Sequence, residues 1–277
     1  MKLLSPAKIN LTLQVLKKRE DNYHEIYTIY QKITLFDEIE IIEIKEYPQF
    51  ELEFLAEEEV PLEKNSMFKA YKLFVDAYGI GEGFKARVLK RIPMGAGLGG
   101  GSSNAGTFLK FLGQRYGIPK EELLNLGEMV GADVPFFVED YPSAIAFGIG
   151  ERLKPYPNFQ AFYILYYPGF KVETAWAYKA LNLRGEKNPY LYSENFPPWQ
   201  DPRGLINDFK ELIYSIHPQY KKWEDYLRLA GAKAIGFSGT GSTLFGVFED
   251  EASLSKAYSL LKNFLKSGKI YLASNLS

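Results

Sequence analysis

Pro93-Met94-Gly95-Ala96-Gly97-Leu98-Gly99-Gly100-Gly101-Ser102-Ser103-Asn104 places five glycines and two serines directly ahead of a helical pattern. Glycine enters backbone regions that other residues avoid and lets main-chain N–H groups approach a ligand closely. Behind this turn, Ala105, Phe108, Leu109, Leu112 and Tyr116 recur at helical spacing. Ser102 and Ser103 therefore fall where an N-cap is expected. A helix N-terminus offers unpaired N–H donors and a partial positive charge, both of which stabilise an anion. The segment reads as a phosphate cradle.

Other glycine-rich patterns fit less well. Residues 95–100 satisfy G-x-G-x-x-G, but the dinucleotide fingerprint also needs an acidic residue about 20 positions on, ending the next strand. That region here is Gly117-Ile118-Pro119-Lys120-Glu121-Glu122, a turn opening another helix. The G-x-x-x-x-G-K-[ST] loop needs a lysine where Ser102 follows Gly101, and no Val-Ala-Ile-Lys strand follows, as a protein-kinase loop would require. A flexible linker is not expected between an apolar strand and a capped helix.

The chain has 277 residues, 46% of them hydrophobic, enough for a large core in two domains. Its 33 basic and 34 acidic residues leave a net charge of −1, which argues against a nucleic-acid or anionic-membrane partner. Cysteine is absent, excluding disulfides and thiolate metal sites, and only His24 and His217 offer imidazole. Ser5-Pro6-Ala7-Lys8 interrupts the apolar start too early for a signal peptide. The apolar run Ala161 to Tyr167 is far shorter than the roughly 20 residues that span a bilayer. These features predict a soluble protein and fit a reducing cytoplasm; a monomer or weak homodimer is the expectation, though composition does not set it.

Alternation of Ile9, Leu11, Leu13 and Val15 with Asn10, Thr12 and Gln14 predicts a half-buried strand over 9–16. A polar loop from Lys17 to Glu25 leads into β-rich residues 26–55. Asn65-Ser66 is expected to cap a helix that Gly79 stops, and 83–92 to form a strand. Helices are expected at about 103–116, 120–130, 174–182, 204–214, 218–230 and 252–266. Strands are expected at 161–167 and 269–274, and a hairpin at 234–248, with a Pro- and Asn-rich loop from Arg184 to Arg203. Without regular βα alternation the class is α+β. Gly and Pro cluster near 148–157, which suggests lobes at 1–152 and 153–277.

Four segments stand beside the glycine turn: Ser5-Pro6-Ala7-Lys8-Ile9-Asn10, Arg19 to Glu25, Gly131-Ala132-Asp133-Val134-Pro135-Phe136-Phe137, and Phe237-Ser238-Gly239-Thr240-Gly241-Ser242. Together they resemble the GHMP kinases (galactose, homoserine, mevalonate and phosphomevalonate kinases). Pro-Ala-Lys-Ile-Asn, Tyr-His and Gly-Ala-Asp-Val-Pro-Phe-Phe resemble in particular the branch that phosphorylates a tertiary hydroxyl of a CDP-linked polyol. The resemblance spans residues 5–242. It implies an N-terminal lobe like ribosomal protein S5 domain 2, carrying ATP and catalysis, and a ferredoxin-like C-terminal lobe completing the substrate site.

By that resemblance, ATP is the phosphoryl donor, with Mg²⁺ expected from the chemistry and no protein ligand for it identified. Phosphoryl transfer needs alignment and charge neutralisation more than covalent help. Pro93, Gly95, Gly97, Leu98, Gly99, Gly100, Gly101, Ser102 and Ser103 would cradle the triphosphate, with Asn65, Ser66 and Lys90 toward base and ribose. Asp133 would accept the hydroxyl proton, and Lys8 would hold both that hydroxyl and Asp133. Tyr23 and His24 would recognise cytosine by stacking and edge bonding, and Tyr178 would cover the other face. Asn10, Thr174, Ser238, Gly239, Thr240 and Gly241 would line the remaining substrate.

Plainer readings stand beside these. Asp133 could cap a turn, Lys8 could be a solvated strand-edge charge, and Tyr178 could be core. Asn65-Ser66 could be a helix cap alone, and 238–242 a hairpin turn alone. Homoserine kinase activity, or a nucleotide-binding homologue that has lost catalysis, are the rival functions. Two departures from the family pattern are Asn22, in place of glycine, and Gly106, in place of alanine. Asparagine tolerates positive φ, so the turn should survive, whereas glycine in the helix should cost about 1 kcal/mol.

Overall fold

Lys2–Lys18 form the first strand, β1, longer than its alternating stretch predicts. Ile9, Leu11, Leu13 and Val15 are buried, but so are Asn10, Thr12 and Gln14, so the strand is covered on both faces rather than half-buried. Buried polar groups need partners. Thr12 Oγ1 donates to the Ile206 carbonyl at 3.0 Å, and Gln14 Nε2 donates to the Tyr190 carbonyl at 2.9 Å.

A computed structural model gives the architecture and describes residues 1–277 apart from Asn182 and Arg184. After β1 come β2 (His24–Lys45), β3 (Phe50–Leu55), α1 (Ser66–Tyr78), β4 (Gly83–Leu89), α2 (Gly100–Tyr116), α3 (Lys120–Val130) and α4 (Val134–Val138). Next are β5 (Ser143–Phe147), β6 (Arg152–Pro155), β7 (Phe162–Tyr167), α5 (Thr174–Ala180) and α6 (Lys210–Ile216). The chain ends with α7 (Gln219–Leu229), β8 (Ala234–Phe237), β9 (Leu244–Phe248), α8 (Glu251–Phe264) and β10 (Lys269–Ser274). The mixture is α+β, as expected. The expected end of α5 at 182, and the start of the loop at Arg184, lie outside the described residues.

Two boundaries moved for identifiable reasons. The helix expected from 204 begins only at Lys210, because the preceding segment pairs with β1. Leu13 N donates to the Ile206 carbonyl at 2.9 Å, and Asp208 N donates to the Leu13 carbonyl at 2.9 Å. The helix expected from 103 begins at Gly100, so Ser102 and Ser103 lie inside its first turn. Gly99, at φ 69°, is the N-cap and uses the left-handed region that glycine enters without strain.

The chain folds as two compact units, each discontinuous in sequence. One comprises Met1–Ala7, Leu35–Pro93 and Gly99–Tyr141, and the other Lys8–Thr34, Met94–Leu98 and Pro142–Ser277. In the first, β4 lies antiparallel to the later half of β2 and parallel to β3, with a register shift between Ile41 and Glu43. Phe50, Tyr71, Phe74, Phe84, Phe108 and Leu112 form its core with α1 to α4. Each fully buried apolar side chain of this size stabilises by roughly 1.5–3 kcal/mol. Asn65 caps α1 by accepting from Met67 N at 2.9 Å, and Gly79 ends it at φ 63°, both as expected.

In the second unit, the early half of β2 pairs antiparallel with β5, and β5 with β6. A separate antiparallel sheet runs in the order β10-β7-β9-β8. Ile164, Tyr166, Phe209, Tyr220, Leu227 and Leu261 are buried in one cluster of this unit. No helix among the described residues is long and apolar enough to cross a membrane.

Candidate active site

The site residues are gathered separately in the two units. In the first, α2 opens directly from Gly99. Ser66 Oγ lies 3.5 Å from the point where a Cβ on Gly101 would sit, and Lys90 Nζ lies 2.9 Å from the corresponding point at Gly100. The first turns of α1 and α2 and the end of β4 thus meet around the glycine-rich helix start, which leaves backbone N–H groups of 100–102 unbonded within the helix. This is the local geometry an anion site requires.

Three residues expected near the nucleotide also bond to protein groups. Lys90 Nζ donates to Asp37 Oδ2 in a pair whose side chains are 5% and 0% exposed. Burial pulls the Lys90 ammonium below its ordinary value, with Asp37 pulling the other way. The Ser103 hydroxyl is buried and accepts a 2.7 Å bond from Ser5 Oγ. Asn65 is buried and its Oδ1 serves the α1 cap, so the helix-cap reading holds for that oxygen. Pro93, Gly99 and Ser102 are half-buried and Gly101 exposed.

Asp133 ends the turn between α3 and α4 and is half-buried. It stands at the N-cap position of α4, where it makes no side-chain cap bond. Gly106 explains why this turn lies along α2. A Cβ there would come within 2.6 Å of Phe137 Cβ and 3.1 Å of the Val134 carbonyl. The glycine that looked like a departure from the family pattern is the residue that lets α4 approach.

In the second unit, Lys8 is 3% exposed, which removes the solvated-edge reading. Its Nζ donates to Asn10 Oδ1 at 2.7 Å and lies 5.2 Å from the centre of the Tyr30 ring. Its backbone N–H donates to the Leu98 carbonyl at 3.0 Å. Asn10 Nδ2 donates to Thr28 Oγ1 at 2.8 Å, so Asn10 also holds protein groups.

The turn after β8 is more than a hairpin connection. Ser238 Oγ donates to the Gly97 carbonyl at 2.8 Å and accepts from Asn10 N at 3.3 Å, while Gly239 N donates to Asn10 Oδ1 at 2.9 Å. A Cβ on Gly97 would collide with the Ser238 carbonyl, so only glycine permits this contact. Val172 N donates to the Gly95 carbonyl at 3.4 Å, and Thr240 and Thr174 hydroxyl oxygens lie 3.4 Å apart. Gly241 is buried, and a Cβ there would lie 2.5 Å from the Phe237 ring. Lys8, Asn10, Gly95, Gly97, Leu98, Thr174 and residues 238–240 are therefore one connected cluster.

A second cluster is aromatic. The His24 and Tyr178 rings lie 5.0 Å apart at 31°, and Tyr178 stands edge-on to buried Phe209 at 4.8 Å. Tyr178 thus packs on the core and also faces His24. Tyr23 is 59% exposed. Asn22 has φ 68°, confirming that asparagine supports this turn in place of glycine. Burial, aided by the charge of Lys18, pulls His24 below its ordinary value of 6.5, so its ring is neutral near pH 7 and carries one donor and one acceptor nitrogen.

Sequence reasoning missed Asn207, Asp208 and Phe209. Asn207 Nδ2 donates to the Phe237 and Gly239 carbonyls at 2.7 and 2.9 Å. Asp208 Oδ2 accepts from Val15 N at 2.6 Å, and Phe209 backs Tyr178. Three consecutive residues tie the glycine-rich turn, β1 and the aromatic pair together. An Asn-Asp pair inside an apolar run was the available signal.

The family model described as GHMP kinases N terminal domain matches residues 65–140, and that described as GHMP kinases C terminal matches 189–267. The 4-diphosphocytidyl-2-C-methyl-D-erythritol kinase of Syntrophus aciditrophicus is 40% identical over 272 residues, covering 94% of each chain. That of Desulfotalea psychrophila is 35% identical, covering 93% of this chain and 89% of the relative. A crystal structure of 4-(cytidine 5'-diphospho)-2C-methyl-D-erythritol kinase superposes with TM-score 0.77 at 30% identity, covering 99% and 98% of the two chains. Homoserine kinase from Cytophaga hutchinsonii shares the fold, with TM-score 0.72 at 14% identity, covering 99% and 95%.

Proposed function

Because this chain belongs to the GHMP kinases, in the family of the 4-diphosphocytidyl-2-C-methyl-D-erythritol kinases, we propose that it transfers the γ-phosphoryl group of ATP to the 2-hydroxyl of 4-diphosphocytidyl-2-C-methyl-D-erythritol. The product belongs to non-mevalonate isoprenoid precursor synthesis. The observation that carries this over homoserine kinase activity is the His24–Tyr178 aromatic pair, with Tyr23 next to it. A nucleobase has a face to stack and an edge to bond, and a small amino-acid substrate has neither.

In this reading Asp133 accepts the hydroxyl proton and Lys8 supplies positive charge to the reacting oxygen. The transferred group develops charge on its equatorial oxygens, so backbone N–H groups of the glycine turn and the Lys8 ammonium provide most of the stabilisation. Among the described residues no group of three or more His, Cys, Asp or Glu side chains could hold a metal. Mg²⁺ fits this site as an ion carried largely by nucleotide phosphates and water, its usual coordination in kinases, where it would neutralise phosphate charge. Cytoplasmic residence, a monomer or weak homodimer, and lobes at 1–152 and 153–277 belong to the same proposal, the two family models falling on either side of residue 152.

A coupled assay of ADP release tests it, offering CDP-methylerythritol, homoserine and mevalonate in turn. Turnover with the cytidyl substrate alone is expected. Turnover with homoserine instead, or with none of the three, would remove the assignment.

A further inference from the structure

Asp37 is 0% exposed and belongs to no motif singled out in the sequence, yet it collects four donors. Its Oδ1 accepts from Arg91 N at 2.8 Å and Ile92 N at 2.9 Å. Its Oδ2 accepts from Lys90 Nζ and from Asn104 Nδ2, the latter at 3.0 Å. Asn104 Nδ2 also donates to Ser5 Oγ at 3.0 Å, and Ser5 donates to Ser103. Arg91 and Ile92 are the last residues before the glycine-rich turn, at Pro93, and Ser103 and Asn104 lie near the start of α2 behind Gly99. One carboxylate therefore holds both flanks of the turn.

We propose that Asp37 is a positioning residue for nucleotide binding, setting the spacing and orientation of the two ends of the phosphate-holding turn. Backbone N–H donors stabilise an anion only when their direction is fixed beforehand, and a small misplacement of such donors is costly. A side chain that only filled core space would not aim one oxygen at two successive backbone N–H groups and the other at the helix that follows. Lys90 in this account is the buried ion-pair partner of Asp37, rather than a nucleotide ligand.

The inference rests on the kinase reading, and its test separates the two. Asp37→Asn keeps an acceptor for Arg91 and Ile92 but removes the anion that organises Lys90 and Asn104. Asn104→Ala keeps the Lys90–Asp37 contact while removing the carboxamide that ties Asp37 and Ser5 to α2 and accepts from Lys90 Nζ at 3.5 Å, and it serves as a second variant should the first be unstable. The measurements are KM for ATP, KM for CDP-methylerythritol, kcat, and direct titration with a fluorescent ATP analogue. The expected result is a KM for ATP raised about tenfold or more, with weaker analogue binding to match and the alcohol's KM within about twofold. Wild-type ATP affinity in folded Asn104→Ala or Asp37→Asn, or an equal rise in both KM values, would overturn the inference alone. A wild-type protein that neither binds the analogue nor turns over ATP would instead overturn the kinase reading.

Discussion

Lys8 Nζ donates to Asn10 Oδ1 at 2.7 Å, and the same oxygen accepts from Gly239 N at 2.9 Å. One carboxamide thus joins a buried ammonium to a glycine-rich turn 229 residues away in the chain. A buried cation needs such a partner, because desolvation is costly unless hydrogen bonds replace water. Asn10→Ala should lower kcat about 10-fold or more by loosening Lys8 while leaving KM for ATP nearly unchanged. Steady-state kinetics decide this, and a wild-type kcat would show that Lys8 is positioned by other groups.

Lys8→Met and Asp133→Asn each remove one proposed charge at the reacting hydroxyl. Each should lower kcat by about 10²- to 10⁴-fold, the usual range for loss of an acid–base or charge-stabilising group. Binding of a fluorescent ATP analogue should persist in both. Turnover close to wild type in either variant would contradict its catalytic role.

His24 sits below its ordinary value of 6.5 because burial disfavours its charged form, with Lys18 adding repulsion. The ring is therefore neutral at pH 7 and gains a proton only as pH falls below 6.5. Protonation removes its acceptor nitrogen, so KM for the cytidyl substrate should rise on acidification while KM for ATP does not follow. His24→Gln, which does not titrate, should flatten that rise. Tyr178→Ala should weaken the cytidyl substrate by the equivalent of about 1–3 kcal/mol, the usual range for base stacking. Unchanged substrate affinity would place Tyr178 in the core alone.

Gly106→Ala exchanges a poor helix residue for the best one, and propensity alone predicts a gain of about 1 kcal/mol. The 2.6 Å approach to Phe137 Cβ predicts the opposite sign, because neither helix can retreat without opening the core. A net loss of about 1–3 kcal/mol is expected from overpacking. Urea unfolding measures it, and a more stable variant would mean that α4 can shift freely.

The glycine-rich turn, the capped helix α1 with its Gly79 stop, and the turn at Asn22 were legible because each depends on a few neighbouring residues. Backbone sterics, caps and hydrophobic periodicity act within that range. The start of α2 was misplaced by three residues for a related reason: serine is the better N-cap by preference, but Gly99 is the residue whose left-handed φ turns the chain into the helix. The start of α6 moved because residues 206–208 spend their backbone groups on β1.

Short local motifs were enough to identify the kinase family by resemblance and to nominate its glycine-rich turn, Lys8 and Asp133 as candidates, since such motifs are written locally. Burial and partnership were settled only in three dimensions. That Lys8 is enclosed, that Lys90 and Ser103 are bonded to protein, and that Asp37 and Asn207 hold the turns in place all depend on groups far apart in the chain. Ser5 and Asn104, 99 residues apart, are one such pair. Hydrogen-bond geometry selects such partners only after packing has excluded water, and no periodicity in a sequence encodes that selection.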